Sequence, residues 1–201
     1  VAGPTTPSAV SPRLRWKRLQ TTMTVERQTG ANFVRSRLKG RGSMVAGVDG
    51  SAPQWAVAQI NIARLVAPEG DPVVQPFFDA LDRINALADR SPGFLWRLEG
   101  YGGNATDLNP AGDPQVIVNM SAWTSVEALY DFVYRSDHRP VISSRRDWFE
   151  RHVGQYQALW WVRNGEWPTP EEGLARIALL DAHGPTRDSF TFKSQFEPPA
   201  A

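Results

Sequence analysis

Beyond residue 54 the hydrophobic and polar positions alternate with two periods, and the switches between them mark out the elements. QWAVAQINIARL, 54–65, alternates in twos, as a strand does: Ala56, Ala58, Ile60 and Ile62 on one side, Trp55, Val57, Gln59 and Asn61 on the other. After the loop APEGDP, the spacing of Val74, Phe77, Phe78, Leu81, Ile84, Leu87 and Ala88 predicts an amphipathic helix. Pro76 fits its first turn, where a missing N–H costs little, and Ser91, Pro92 and Gly93 stop it. FLWRLEGYG, 94–102, predicts a second strand, GGNATDLNPAGDP a long turn-rich connection, and VIVNMSAWTS, 116–125, a third strand.

Thr124 or Ser125 then caps a helix whose Val126, Leu129, Phe132 and Val133 face the core. Pro140 predicts a break between Ser136 and Pro140, with helix resuming through VISSRRDWFERH. QYQALWWVRNGEW, 155–167, predicts the fourth strand, and PTPEEGLARIALLDAHG a last helix opened by Thr169 before Pro170 and closed by Gly184. FTFKSQF, 190–196, alternates weakly and suggests an edge strand.

This order is the ferredoxin-like split βαβ arrangement, an α+β fold of βαββαβ connectivity with a C-terminal helix. One sheet face has to lie under the crossover helices. The apolar set Ile60, Ile62, Phe94, Trp96, Leu98, Val116, Val118 and Met120 is assigned to it. Gln59, Asn61, Arg97, Asn119, Ser121 and Trp123 then point to the opposite face, with Leu95, Ile117 and Trp160 or Trp161 beside them. Left in water, that face would expose contiguous aromatic surface, so the expectation is that a second copy packs over it and closes a dimeric α+β barrel around a ligand.

Composition narrows the function. The 201 residues are 41% apolar and contain no cysteine, which fits one domain with a proper core and excludes disulfides, thiolate metal sites and cysteine nucleophiles. No apolar run approaches the roughly 20 residues that span a bilayer, and no apolar signal-peptide core follows the N-terminus, so a soluble cytoplasmic protein is expected. Charge is divided unevenly. Residues 1–43 hold nine basic groups against the single acid Glu26, a net of +8, which leaves −7 for the rest of a chain whose total is +1. The leader, taken as residues 1–53, lacks periodicity and reads as a disordered segment or an over-extended start before Met44; the domain is taken as 54–197. A transit peptide or a nucleic-acid arm are its functional alternatives, and nucleic acid is not expected as a partner.

AQINIARL, RINALADRSPGFLWRL, VIVNMSAWTSVEALYDFVY, SDHRPVISSRRDWFE, ALWWV and AHGPTRDSFTFKSQF, in that order, resemble a bacterial family known only as domain of unknown function 3291, DUF3291. The resemblance covers about residues 54–196. That family is similar to the dimeric α+β barrel superfamily of antibiotic-biosynthesis monooxygenases, EthD-like proteins and haem-binding or haem-degrading members. It implies the fold and a homodimer, and a small-molecule site, more firmly than any reaction.

Within that frame His138, in YRSDHRP, is a candidate general acid or base, because an unperturbed imidazole titrates near pH 6.5. Arg97 is a candidate to hold an enolate or carboxylate, and Asn119 to hydrogen-bond a carbonyl as charge develops. Gln59, Asn61, Ser121, Trp123, Tyr134, Arg145 and Trp161 complete the expected substrate contacts. The bland alternative has His138 satisfying carbonyls at the helix break and the arginines paired with acids. The expected function is proton-transfer chemistry, such as cofactor-independent oxygenation, isomerisation or cyclisation, on an aromatic or polyketide-like metabolite. A metabolite-binding or sensing module, or haem binding through His138, are the alternatives. The three histidines have no carboxylate at ligand spacing, so no metal site is expected, and no phosphate-binding or nucleophile-elbow motif occurs.

Overall fold

The computed structural model describes residues 53–200. The leader and the start at Met44 lie outside the described residues. Four strands, β1 (Trp55–Arg64), β2 (Phe94–Arg97), β3 (Val116–Trp123) and β4 (Gln157–Arg163), form one antiparallel sheet in the order β2-β3-β1-β4. Helix α1 (Gln75–Arg90) joins β1 to β2; α2 (Val126–Arg135) and α3 (Arg139–Trp148) join β3 to β4; α4 (Pro170–His183) follows β4. This is the ferredoxin-like α+β arrangement with a C-terminal helix.

The predicted boundaries hold wherever a local rule sets them. Ser125 caps α2 by accepting from the Ala128 N–H at 3.1 Å, and Thr169 caps α4 by accepting from the Glu172 N–H at 3.2 Å. Pro76 and Pro170 sit in first turns, and Gly184 ends α4 at φ +71°, a conformation side chains disfavour. The break before Pro140 falls between α2 and α3. FTFKSQF makes only isolated bridges, Thr191 with Ser194 and Phe190 with Leu159, the latter exchanging both backbone hydrogen bonds at 2.8 and 2.9 Å. Trp161 Nε1 donating to the Phe196 carbonyl at 2.7 Å pins the rest of the tail.

The facing of the sheet is the reverse of the expected one. Val57 and Trp123 cluster with Ala88 of α1 and with Val126 and Leu129 of α2, so the Gln59, Asn61, Ser121, Trp123 side lies under the crossover helices. At the far end of the same side, Leu65 packs with Val74, with Phe77 of α1 and with Trp148 of α3. The apolar side lies under α4, where Gly173 approaches so closely that a Cβ would sit 2.7 Å from Ile60 Cδ1 and 3.0 Å from Met120 Cε. Phe94 and Trp96 do not share a face, because a bulge between them shifts the register. Phe94 pairs with Trp123 and packs edge-on against it at 5.3 Å, whereas Trp96 pairs with Ala122 and stacks on Trp167 at 6.0 Å.

Ala56, Ala58, Ile60, Ile62, Val116, Val118, Met120, Ala122, Ala158, Trp160 and Val162 are each 9% exposed or less. At about 1.5–3 kcal/mol for each large side chain buried, this face is a main source of stability. Trp123 and Trp160 are both buried within one chain, which removes the exposed aromatic surface on which the expectation of a second copy over the sheet rested.

Candidate functional site

The helix-covered face is apolar at its two ends and polar in the middle. Pairing across β3, β1 and β4 builds it in rows: Trp123, Val57, Trp161; then Ser121, Gln59, Leu159; then Asn119, Asn61, Gln157; then Ile117 beside Ala63. The third row is three carboxamides on adjacent strands, roughly 5 Å apart. A sheet face roofed by helices ordinarily buries such positions. Here Asn119 is exposed and Asn61 and Gln157 are only partly buried, so the roof is open over the amide row.

Behind the row the polar groups are bonded to one another. Gln59 is 5% and Ser121 7% exposed. Gln59 Nε2 donates to Asn119 Oδ1 at 3.0 Å and to Ser121 Oγ at 3.1 Å, and Trp123 Nε1 donates to the same Ser121 Oγ at 2.9 Å. These bonds satisfy groups that would otherwise be costly to bury, and they tie Asn119 to the aromatic end of the face.

An aromatic stack climbs from that end to the helix break. Phe132 of α2 stacks on Trp123 at 5.0 Å and 27°, and His138 stacks on Phe132 at 4.8 Å and 10°. Helix α2 leaves β3 beyond Trp123 and doubles back over it. Burial lowers the His138 pKa to about 4, opposed in part by the Val133 carbonyl turned toward the ring. Its buried Nδ1 makes no well-formed hydrogen bond among the described residues. His138 is therefore neutral at pH 7.

The remaining candidates sit apart. Arg97 pairs in register with Ser121, but its guanidinium is bound to Asp89 of α1 and to Glu99, both at 2.9 Å, and to the Gly103 carbonyl at 2.7 Å. Trp161 lies in the first row and spends its N–H on the tail. Tyr134 and Arg145 are exposed at the outer edge. Burial raises the Tyr134 pKa, as do the nearby Tyr156 and Tyr130, while Arg145 lowers it. His138, Arg97 and Asn119 are thus three places on one face, not one cluster.

Gln157 and Phe132 were not among the candidates. Gln157 joins the row only through the β1–β4 register, and Phe132 resembles any core position of an amphipathic helix. Chemically, the row consists of three NH2 groups and three carbonyl oxygens without formal charge, of which Asn119 Oδ1 already accepts from Gln59, between two apolar clusters. Among the described residues no group of His, Cys, Asp and Glu could hold a metal ion, and no helix is long and apolar enough to cross a membrane.

Two solved structures from Nitrosomonas europaea are similar to the chain. A protein of unknown function shares 9% identity, with 59% of this chain and 98% of its own covered, at a TM-score of 0.38. A protein named for the antibiotic biosynthesis monooxygenases shares 16% identity, with 59% and 97% covered, at a TM-score of 0.37. No curated protein matches the chain in sequence. The family model called domain of unknown function (DUF3291) matches residues 56–201, and with that span the chain belongs to the DUF3291 family.

Proposed function

We propose that the opening over Asn119, Asn61 and Gln157 binds a small, flat, oxygen-bearing molecule, and that the protein moves a proton within it. The observation that carries the binding half is Asn119: an exposed amide in the middle of a helix-covered sheet face, held from behind by buried Gln59. A neutral amide floor between apolar clusters suits an uncharged ring system with carbonyl or hydroxyl groups on one edge. His138, at the end of the aromatic stack that starts at Trp123, is the group assigned to the proton, which calls for a ligand long enough to reach it from the amide row. It is neutral near pH 7, and a negative charge developing on the ligand would raise its pKa from about 4 toward the range useful for proton transfer. Asn119 is assigned to the ligand oxygen, where it opposes the charge that forms as the proton leaves carbon. Arg97, already neutralised by Asp89 and Glu99, is given the role of holding α1 to β2.

One observation favours a second reading, a store or sensor without turnover: a base with a pKa near 4 is weak. The site is built by one chain, so a homodimer rests on the family resemblance alone. The test is native mass spectrometry of protein taken from its own cells, with the released molecule identified. The proposal expects one bound small molecule, absent from Asn119→Leu. Protein that carries nothing, or a variant that carries as much, overturns the binding half. With that molecule in hand, His138→Gln is expected to keep affinity and lose turnover; unchanged turnover overturns the catalytic half.

A further inference from the structure

We infer that Gln59 and Ser121 form a reversible hydrogen-bond relay behind Asn119, through which the site presents either a donor or an acceptor to the same ligand oxygen. The inference rests on the proposed site and adds to it the class of ligand the site takes.

Donors and acceptors along the relay decide the point. The Trp123 indole N–H can only donate, so it fills one lone pair of Ser121 Oγ at 2.9 Å and anchors that end. Beyond the anchor every member both donates and accepts. In one setting Gln59 Nε2 gives its two hydrogens to Ser121 Oγ and Asn119 Oδ1, and Asn119 points its NH2 into the opening. Amide oxygen and nitrogen are nearly alike in size, so turning both amides half a revolution keeps every contact. Ser121 O–H then donates to Gln59 Oε1, Asn119 Nδ2 donates to the same oxygen, and Asn119 Oδ1 faces the opening. Each setting makes three hydrogen bonds across the same contacts, the first leaving the Ser121 hydrogen and the second the Gln59 NH2 to be placed elsewhere, and a ligand bond adds to the setting it matches.

A fixed acceptor would hold an enol O–H and reject the corresponding carbonyl, which has no hydrogen to give; a fixed donor would reach a lone pair of either and leave the enol hydrogen without a partner. The relay holds both. The ligand class it points to is an enolisable carbonyl compound, whose one oxygen changes from acceptor to donor when a proton leaves the neighbouring carbon and arrives at that oxygen. Gln59 and Ser121 act through Asn119 and are positioning residues.

The experiment compares 1-tetralone, which offers a carbonyl, with 1-naphthol, which offers a hydroxyl on the same bicyclic frame. Wild-type protein is expected to bind both with similar affinity. Gln59→Glu, read above the pH at which this buried carboxyl ionises so that it can only accept, locks Asn119 Oδ1 outward and is expected to favour the naphthol by about tenfold, the effect of one unmade hydrogen bond. Gln59→Met, which holds Asn119 in neither setting, is expected to weaken both equally. Probes that bind wild type but keep their affinity ratio in Gln59→Glu overturn the relay and leave the site standing. Probes that fail to bind wild type overturn the site, and the relay is then read from side-chain amide NMR. There, two exchanging positions for Asn119 that become one in Gln59→Glu support it, and a single position in wild type overturns it.

Discussion

The two faces of the sheet come from the same alternating strands and end differently. Under α4, large and small apolar residues interlock: Ala58 beside Trp160, Ala158 beside Ile60, and Gly173 admitting the helix onto Ile60 and Met120. Under the crossover helices, the packing is interrupted by a row of amides beneath an opening. Side-chain volume fills one face, and the other gives up burial in its centre for hydrogen-bonding groups. Stability resides mainly in the first face, and a ligand site is expected on the second.

The strongest way to break the comparison is to make matched changes on the two faces. Ile60→Ala, fully buried under α4, is expected to cost about 2–5 kcal/mol in urea unfolding, through lost burial and the cavity left behind. A smaller cost would mean α4 is loosely seated. Gly173→Val should cost about 1–3 kcal/mol from the other side of the same contact, because Ile60 and Met120 would have to move.

Next in size is a dependence on pH from the functional face. His138 has a native pKa of about 4 against about 6.5 unfolded, so between those values the unfolded chain binds a proton that the native chain does not. Stability is therefore complete above about pH 6.5, falls as pH is lowered through that window, and levels off below about pH 4, by at most about 3 kcal/mol. The pKa of His152 is also lowered by burial and acts in the same direction, so the diagnostic quantity is the difference between wild type and His138→Phe, which keeps the stack. Equal pH slopes in the two proteins would show that His138 is not desolvated. The smallest effect is the most telling: Asn119→Leu, at an exposed position, should cost about 1 kcal/mol of stability, the bond its Oδ1 accepts from buried Gln59, while abolishing probe binding. A large loss of stability would assign Asn119 to the core.

Local rules made most of the fold legible. Ser125, Thr169, Pro76, Pro140 and Gly184 each act within a few residues, and the structure places the element ends where they point. The facing was lost because alternation identifies two sides of a strand without saying what covers each. The most apolar side was assigned to the crossover helices, although the C-terminal helix was there to take it. The bulge between Phe94 and Trp96 adds a residue that alternation cannot register. Gln59, Asn61, Asn119 and Ser121 were singled out correctly as one surface, since polar residues interrupting apolar strands are visible in sequence. Gln157 was missed because only the pairing of β4 with β1 brings it beside Asn61. The pairing of Arg97 was not legible, since nothing in sequence showed that Asp89, eight residues earlier on α1, would bind its guanidinium.

The most direct test of the amide row as the functional face is side-chain amide NMR during titration with 1-naphthol. The resonances of Asn61, Asn119 and Gln157 are expected to shift together along one saturating curve. Asn164, whose amide donates to the Pro53 carbonyl at 3.0 Å at the far end of β4, should stay where it is. Three unmoved amides, or shifts at Asn164 of the same size, would contradict the assignment of this face to ligand binding.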